Sequence, residues 1–125
     1  MKIILLIFFG GGLGSVARYL LINYFNKIIP GSIPYSTILV NLLGALIIGI
    51  VYYFVATRVV LNEHFKIFFT IGFLGAFTTF STFNLDFFKL IESGDISSAI
   101  IYATITFVGT VTLFYIGFYF AKFIA

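Results

Sequence analysis

Three side chains stand where an apolar sequence is least able to carry them: Arg18, Asn41 and Asp86, each within a long hydrophobic run. In hydrocarbon a charged group costs about 3 kcal/mol or more unless it meets a partner or water, so such residues mark functional sites or interhelical bonds. Arg18 lies about two-thirds of the way along the first run, behind Gly10, Gly11, Gly12 and Gly14, and is the one cation well inside a run. A fixed positive charge there draws anions and repels cations at a pore entrance; the plainer reading is a guanidinium that snorkels to the headgroup layer. Asn41, three residues before Gly44, is either an interhelical hydrogen bond or an amide donor offered to a dehydrated anion. Asp86 and Lys89 are spaced i, i+3 near the end of a run, which reads as mutual neutralisation, with a carboxylate at a pore mouth as the second reading.

Two aromatic residues join this set. Phe80 and Phe83 are three apart, hence on one helical face, and are interleaved with Ser81 and Thr82. An aromatic ring has a positive edge, so a ring presented edge-on holds an anion without a formal charge. Further on, Tyr102, Thr106 and Thr110 fall on one face at i, i+4 and i+8. They form either a polar track or, for the threonines, hydroxyls bonded back to their own backbone.

The elements that must position these residues are membrane helices. Of 125 residues, 62% are hydrophobic and 9% charged, too few polar side chains to cover a globule in water, where about a quarter are charged. A spanning helix needs about 20 apolar residues, and four such runs account for nearly the whole chain. They read as 3–25, 33–57, 67–90 and 96–121, one four-helix transmembrane domain of an all-α membrane protein. Asn26, Lys27, Pro30 and Gly31 mark the first connection, Arg58, Asn62, Glu63, His64 and Lys66 the second, and Glu92, Ser93, Gly94 and Asp95 the third. Pro34 sits in a first turn, where its missing N–H costs nothing. The N-terminal run carries glycines and Arg18 and no small-x-small cleavage site, which reads as a retained helix.

The third run is the irregular one. Gly72 and Gly75 precede Thr78, Thr79, Ser81 and Thr82, a sequence poor for continuous helix, and a break near Gly75 to Thr79 is expected, facing protein or a polar cavity. Small residues four apart, Gly10 with Gly14, Ala45 with Gly49, Gly72 with Ala76 and Gly117 with Ala121, are helix-packing hardware. Placing the N-terminus on one side puts Lys2, Arg58, Lys66 and Lys122 there, against Lys27 and Lys89 on the other. Four against two is compatible with a preferred orientation and with insertion both ways.

Gly11, Gly12, Gly14, Ala17, Arg18 and Tyr19, then Asn41 with Gly44, then the run Gly72 to Phe83 ending Thr-Thr-Phe-Ser-Thr-Phe, closely resemble the Fluc (CrcB) family of fluoride channels. The resemblance covers all four spans. It implies an antiparallel dual-topology homodimer in the inner cell membrane, with two pathways that export fluoride passively, and a central sodium ion held by backbone carbonyls at the third-helix breaks. By motif match it implies Asn41, Phe80 and Phe83 along the pathway with Ser81 and Thr82 nearby, Gly75 and Thr78 as carbonyl donors to the ion, and Tyr102, Thr106 and Thr110 as the polar track. Two departures are visible: Asn84, Leu85 and Asp86 stand where the family often has Ser-x-Glu, and Ser15 where alanine is usual.

Other classes are disfavoured on chemical grounds. The seven Lys and Arg are scattered singly, whereas nucleic-acid binding needs a clustered basic face. No cysteine is present, which removes disulfide and thiolate chemistry, and the single histidine, His64, falls in a polar connection. No ionisable pair has acid–base or metal spacing, so an enzyme is not expected. A four-helix proton-coupled drug or cation exporter needs an embedded carboxylate where the first run offers Arg18. A non-transporting assembly subunit gives no reason for Asn41, Phe80 and Phe83.

Overall fold

The computed structural model describes residues 1–57 and 61–125, and it is all helical. Arg58, assigned above to the second connection and to one side of the membrane, lies outside the described residues. Helix α1 is Lys2–Ile28 and α2 is Tyr35–Ala56. Pro34 directly precedes α2, and its carbonyl accepts the helix-opening bond from the Ile38 N–H at 3.3 Å. The third span begins with the single turn α3, Glu63–Lys66, capped by Asn62, whose Oδ1 accepts from the His64 N–H at 2.9 Å. It continues as a π-helical segment, Ile67–Leu74, a short α4, Gly75–Phe77, and, beyond two extended residues, α5, Phe80–Glu92. Gly94 turns the chain with φ of 82°, a left-handed conformation suited to glycine, and Asp95 caps the last helix, α6, Ile96–Ile124. Four of these elements, counting Glu63–Glu92 as one, are long and apolar enough to cross a bilayer.

Thr78 and Thr79 make the break in the third span. Both are extended, with ψ of 154° and 129°, and both use their hydroxyls to finish the flanking helices. The Thr78 hydroxyl donates back to the Leu74 carbonyl at 2.9 Å, while the Thr79 oxygen accepts from the Thr82 N–H at 3.3 Å as the N-cap of α5. A threonine pair thus closes one helix and opens the next.

The helices pack in two tight pairs whose contacts are made by glycine. In the first, a Cβ on Gly10 or Gly14 of α1 would overlap the carbonyl oxygens of Phe68 or Phe73, and Gly72 meets Gly10 directly. In the second, a Cβ on Gly49 of α2 would strike the Phe114 carbonyl and one on Gly117 of α6 the Leu46 carbonyl. Backbones approach this closely because no methylene intervenes, the usual basis of helix association in lipid. Val40, Leu74 and Phe77 form one core where α1, α2 and the third span meet, and Ile38, Leu90, Ala99 and Tyr102 form another between α2, α5 and α6. Outward-facing side chains are large and apolar, such as Phe8 at 70% and Phe107 at 73% exposed, which a bilayer or a second chain must cover.

Candidate functional site

The break in the third span faces a groove of about 590 Å³ lined by α2, the broken segment, α5 and α6. Among the residues singled out in the sequence it gathers Asn41, Gly75, Thr78, Phe80, Phe83, Thr106 and Thr110.

Asn41 holds the break in place. The Thr79 N–H donates to its Oδ1 at 3.0 Å, and its Nδ2 donates to the Thr79 carbonyl at 3.3 Å, so the side chain stands in for a neighbouring strand. Because a backbone N–H must meet an oxygen, this fixes which way the amide points and leaves one amide hydrogen uncommitted. Three residues on, Gly44 leaves the room that the Thr78 methyl fills; a Cβ there would collide with it. The interhelical bond and the spare donor, read as alternatives in the sequence, coexist on one side chain.

The three-residue stripe on α6 divides by where its protons go. Tyr102 is fully buried away from the groove, and its hydroxyl donates to Asp86 Oδ2 at 3.3 Å. Thr110 donates to the Thr106 carbonyl at 2.7 Å and so offers the groove lone pairs. The Thr106 Oγ1 is buried with no hydrogen-bond partner among the described residues. Of the three hydroxyls, Thr106 alone retains a proton to give without breaking a bond.

Phe80 and Phe83 line the groove and belong to a ladder of rings. Phe80 lies against Phe83 with centroids 5.3 Å apart and planes at 25°, and Phe83 lies against Tyr102 at 5.1 Å and 20°. Such near-face-to-face packing occupies ring faces and leaves edges for other neighbours. Phe80 is 73% exposed in the single chain. Ser81 and Thr82 are not part of the groove lining: Ser81 exchanges a 2.9 Å hydrogen bond with the Thr79 hydroxyl and Thr82 contributes its N–H to the cap.

Arg18 stands apart on α1 and does not line the groove; its neighbour Ala17 packs on the Val40, Leu74 and Phe77 core. Asp86 corrects the sequence expectation. Its partners are not Lys89 but the Thr37 hydroxyl, donating to Oδ2 at 2.9 Å, and Tyr102. Thr37 is the residue the sequence reading missed, although it sits one turn before Asn41 at i, i+4, on the same face of α2.

At the break, no donor among the described residues reaches the carbonyls of Gly75 or Thr78, and these are the groups with which the site could hold a cation. No cluster of three His, Cys, Asp or Glu side chains that could do so occurs among the described residues.

Four spanning helices, the third broken beside a groove of amide, hydroxyl and aromatic groups, define a multi-pass membrane protein built around an intramembrane polar site. Residues 5–118 match the family described as CrcB-like protein, Camphor Resistance (CrcB). The chain is 36% identical over 121 residues to a fluoride-specific ion channel of Leptospira interrogans, covering 97% of this chain and 95% of that protein. It is 46% identical over 93 residues to a fluoride-specific ion channel of Nitrobacter winogradskyi, covering 74% of each, and 45% identical over 94 residues to one of Phocaeicola vulgatus, covering 75% and 77%. This chain belongs to the CrcB family.

Proposed function

We propose that this chain is a fluoride channel, not an enzyme, and passes the ion down its gradient across the inner cell membrane. The observation that carries the reading is the convergence, in one groove without a fixed charge, of the free Thr106 hydroxyl, the spare amide hydrogen of Asn41 and the rings of Phe80 and Phe83. Fluoride is small and strongly hydrated, so a pathway must replace its water with several donors yet hold it weakly enough to release it. Neutral donors meet both conditions, whereas a tight cationic site would trap the ion. In this reading Thr106, Asn41, Phe80 and Phe83 contact the ion, while Thr110, Tyr102, Ser81 and Thr82 hold those donors in place. Arg18 acts at a distance, raising anion concentration near one end.

The working unit in this proposal is an antiparallel, dual-topology homodimer with two pathways. The groove is open on one side, the Phe80 ring is largely uncovered, and a two-fold axis is the commonest way to close such a surface. Leaving aside Arg18 within its span, the cationic side chains of the described residues divide as Lys2, Lys66 and Lys122 against Lys27 and Lys89, a small bias. The unpartnered carbonyls of Gly75 and Thr78 fit a hard cation such as sodium, and a copy related by the axis would double the oxygens available. The ion would supply the positive charge that these carbonyls lack as partners, fastening the two breaks together.

Purified protein in fluoride-loaded liposomes tests the central reading. Fluoride should leave passively once charge is compensated by a potassium ionophore, with chloride retained; flux that needs a proton gradient, or no flux at all, overturns it. Because the chain has no cysteine, single introduced cysteines report topology without background. A cysteine in the connection 29–34 should be labelled from both sides of the membrane, and labelling from one side rejects dual topology. Replacing sodium by potassium should lower the melting temperature of the purified dimer.

A further inference from the structure

A second cavity, of about 280 Å³, lies away from the groove, at the end of the bundle where α1 begins. Lys2, Leu5, Leu6 and Phe9 form one wall, and His64 of α3 faces them. The four α1 residues follow i, i+3, i+4 and i+7, a continuous strip about 10 Å long on one helix face. Lys2 is the first residue of α1 and His64 lies in the first turn of the third span, which puts the mouth of this cavity at the membrane edge and Phe9 deeper among the acyl chains.

We infer that this cavity is a binding site for an anionic phospholipid, with its phosphate at the Lys2 and His64 rim and one acyl chain along Leu5, Leu6 and Phe9. The charge at the mouth complements a phosphate. Lys2 stands on the cavity wall, while Glu63 and Lys66 of α3 offset one another, so the rim is net positive. A lysine in this position lays its methylene stem along the apolar wall and keeps its ammonium at headgroup level. His64 closes the rim from α3: its Nδ1 donates to the Asn62 Oδ1 at 3.3 Å, and its Nε2, an acceptor in the neutral ring, meets the phosphate through a bridging water. Apolar walls beneath a basic rim, on a chain that spans the bilayer, match a lipid's own division into tail and headgroup.

The chain contains no tryptophan, so one introduced residue is a single fluorescent reporter. Phe9→Trp places it in the cavity, and Phe120→Trp, made together with Lys122→Gln so that no lysine stands beside the reporter, places it on α6, exposed and near the same end of the bundle. Each full-length variant is reconstituted in phosphatidylcholine vesicles, and quenching by dibrominated phosphatidylglycerol is compared with quenching by dibrominated phosphatidylcholine. At Phe9→Trp the anionic lipid should compete about five-fold better, the factor that one lysine near an anionic surface contributes, and at Phe120→Trp about equally. Adding Lys2→Gln and His64→Gln to the Phe9→Trp protein should bring the ratio to about one. The site is rejected if neither reporter prefers the anionic lipid, if both prefer it equally, or if the preference survives the double substitution.

Discussion

Asn41 and Thr79 bind each other twice, N–H to Oδ1 and Nδ2 to carbonyl, across the interface between α2 and the broken third span. Both Thr79 backbone groups lose their helical partners at the break, and in the membrane no water is at hand to replace them. Asn41→Ala strands both, and we expect it to cost about 1–3 kcal/mol per stranded group in denaturant or thermal unfolding, together with fluoride flux. Asn41→Asp keeps the acceptor, loses the donor and should fall between. An Asn41→Ala protein as stable as the parent would mean that the break is held by other contacts.

The unequal fates of the α6 hydroxyls separate two neighbouring threonines. Thr106→Val removes the free donor, and we predict at least a ten-fold loss of fluoride flux, an energy in the ordinary range for a hydrogen bond to a charged group. Thr110→Val removes a proton already spent on the Thr106 carbonyl and should alter flux by about two-fold or less. Thr106→Ser should restore conduction. Equal losses at both positions, measured in the same liposome assay, would contradict this division.

For the rings, volume and quadrupole can be varied separately. Phe80→Ile and Phe83→Ile roughly conserve bulk and remove the positive edge, so each should reduce flux by about ten-fold. Their stabilities should differ. Phe83 also packs against Tyr102 and should cost about 1 kcal/mol in lost ring contact, whereas the exposed Phe80 should cost little in the isolated chain. A pair of variants with unchanged flux would remove the rings from the pathway.

Asp86 ties Thr37 of α2 to Tyr102 of α6 through a single carboxylate oxygen. Asp86→Asn retains an acceptor and should be well tolerated, while Asp86→Leu leaves two buried hydroxyl donors unmet and should destabilise by about 1–3 kcal/mol per group. Lys89→Gln should do nothing to stability, since Lys89 is no partner of Asp86. Thermal melts of the three variants in one detergent decide the matter.

Asp95, outside the spans, has its carboxyl pKa held below the ordinary range by the Ser98 hydroxyl and backbone N–H, which it accepts as the cap of α6. A lowered native pKa means that this contribution is whole above the usual carboxylate range and fades as pH falls through the lowered value. The melting difference between parent and Asp95→Ala should therefore be constant near neutrality and shrink in acid. The difference between Asp95→Asn, which caps without titrating, and Asp95→Ala should show no such acid dependence.

Much of this architecture was legible because it follows from local composition. Four apolar runs mark four spans, and the glycines and threonines of the third mark its interruption, since both residue types weaken a helix wherever they fall. Glycine pairs four residues apart likewise pointed to the packing faces. What depends on distances between helices was not legible. The i, i+3 spacing of Asp86 and Lys89 suggested a local pair, but the carboxylate turns to hydroxyls supplied by two other helices. That Asn41 grips Thr79, or that Thr110 spends its proton while Thr106 does not, cannot be seen without coordinates. One missed element had a signal. Phe65, Phe69, Phe73 and Phe77 repeat every four residues and stack at 5.4–5.7 Å. A strict four-residue period is about 90° per residue, between the α-helical 100° and the smaller turn of a wider helix, and it accompanies the π-helical segment Ile67–Leu74.

The carbonyl-to-glycine contacts that join α1 to the third span and α2 to α6 have a consequence for how variation in this chain should be interpreted. At Gly10, Gly14, Gly49 and Gly117 even a methyl group meets a backbone oxygen, which has no rotamer to retreat into. Saturation mutagenesis would return these as the least forgiving columns of the protein, harsher than Thr106 or Phe80, where serine or another aromatic still fits. Intolerance at such positions reports on assembly alone, and ranking residues by it would place the scaffold ahead of the conduit.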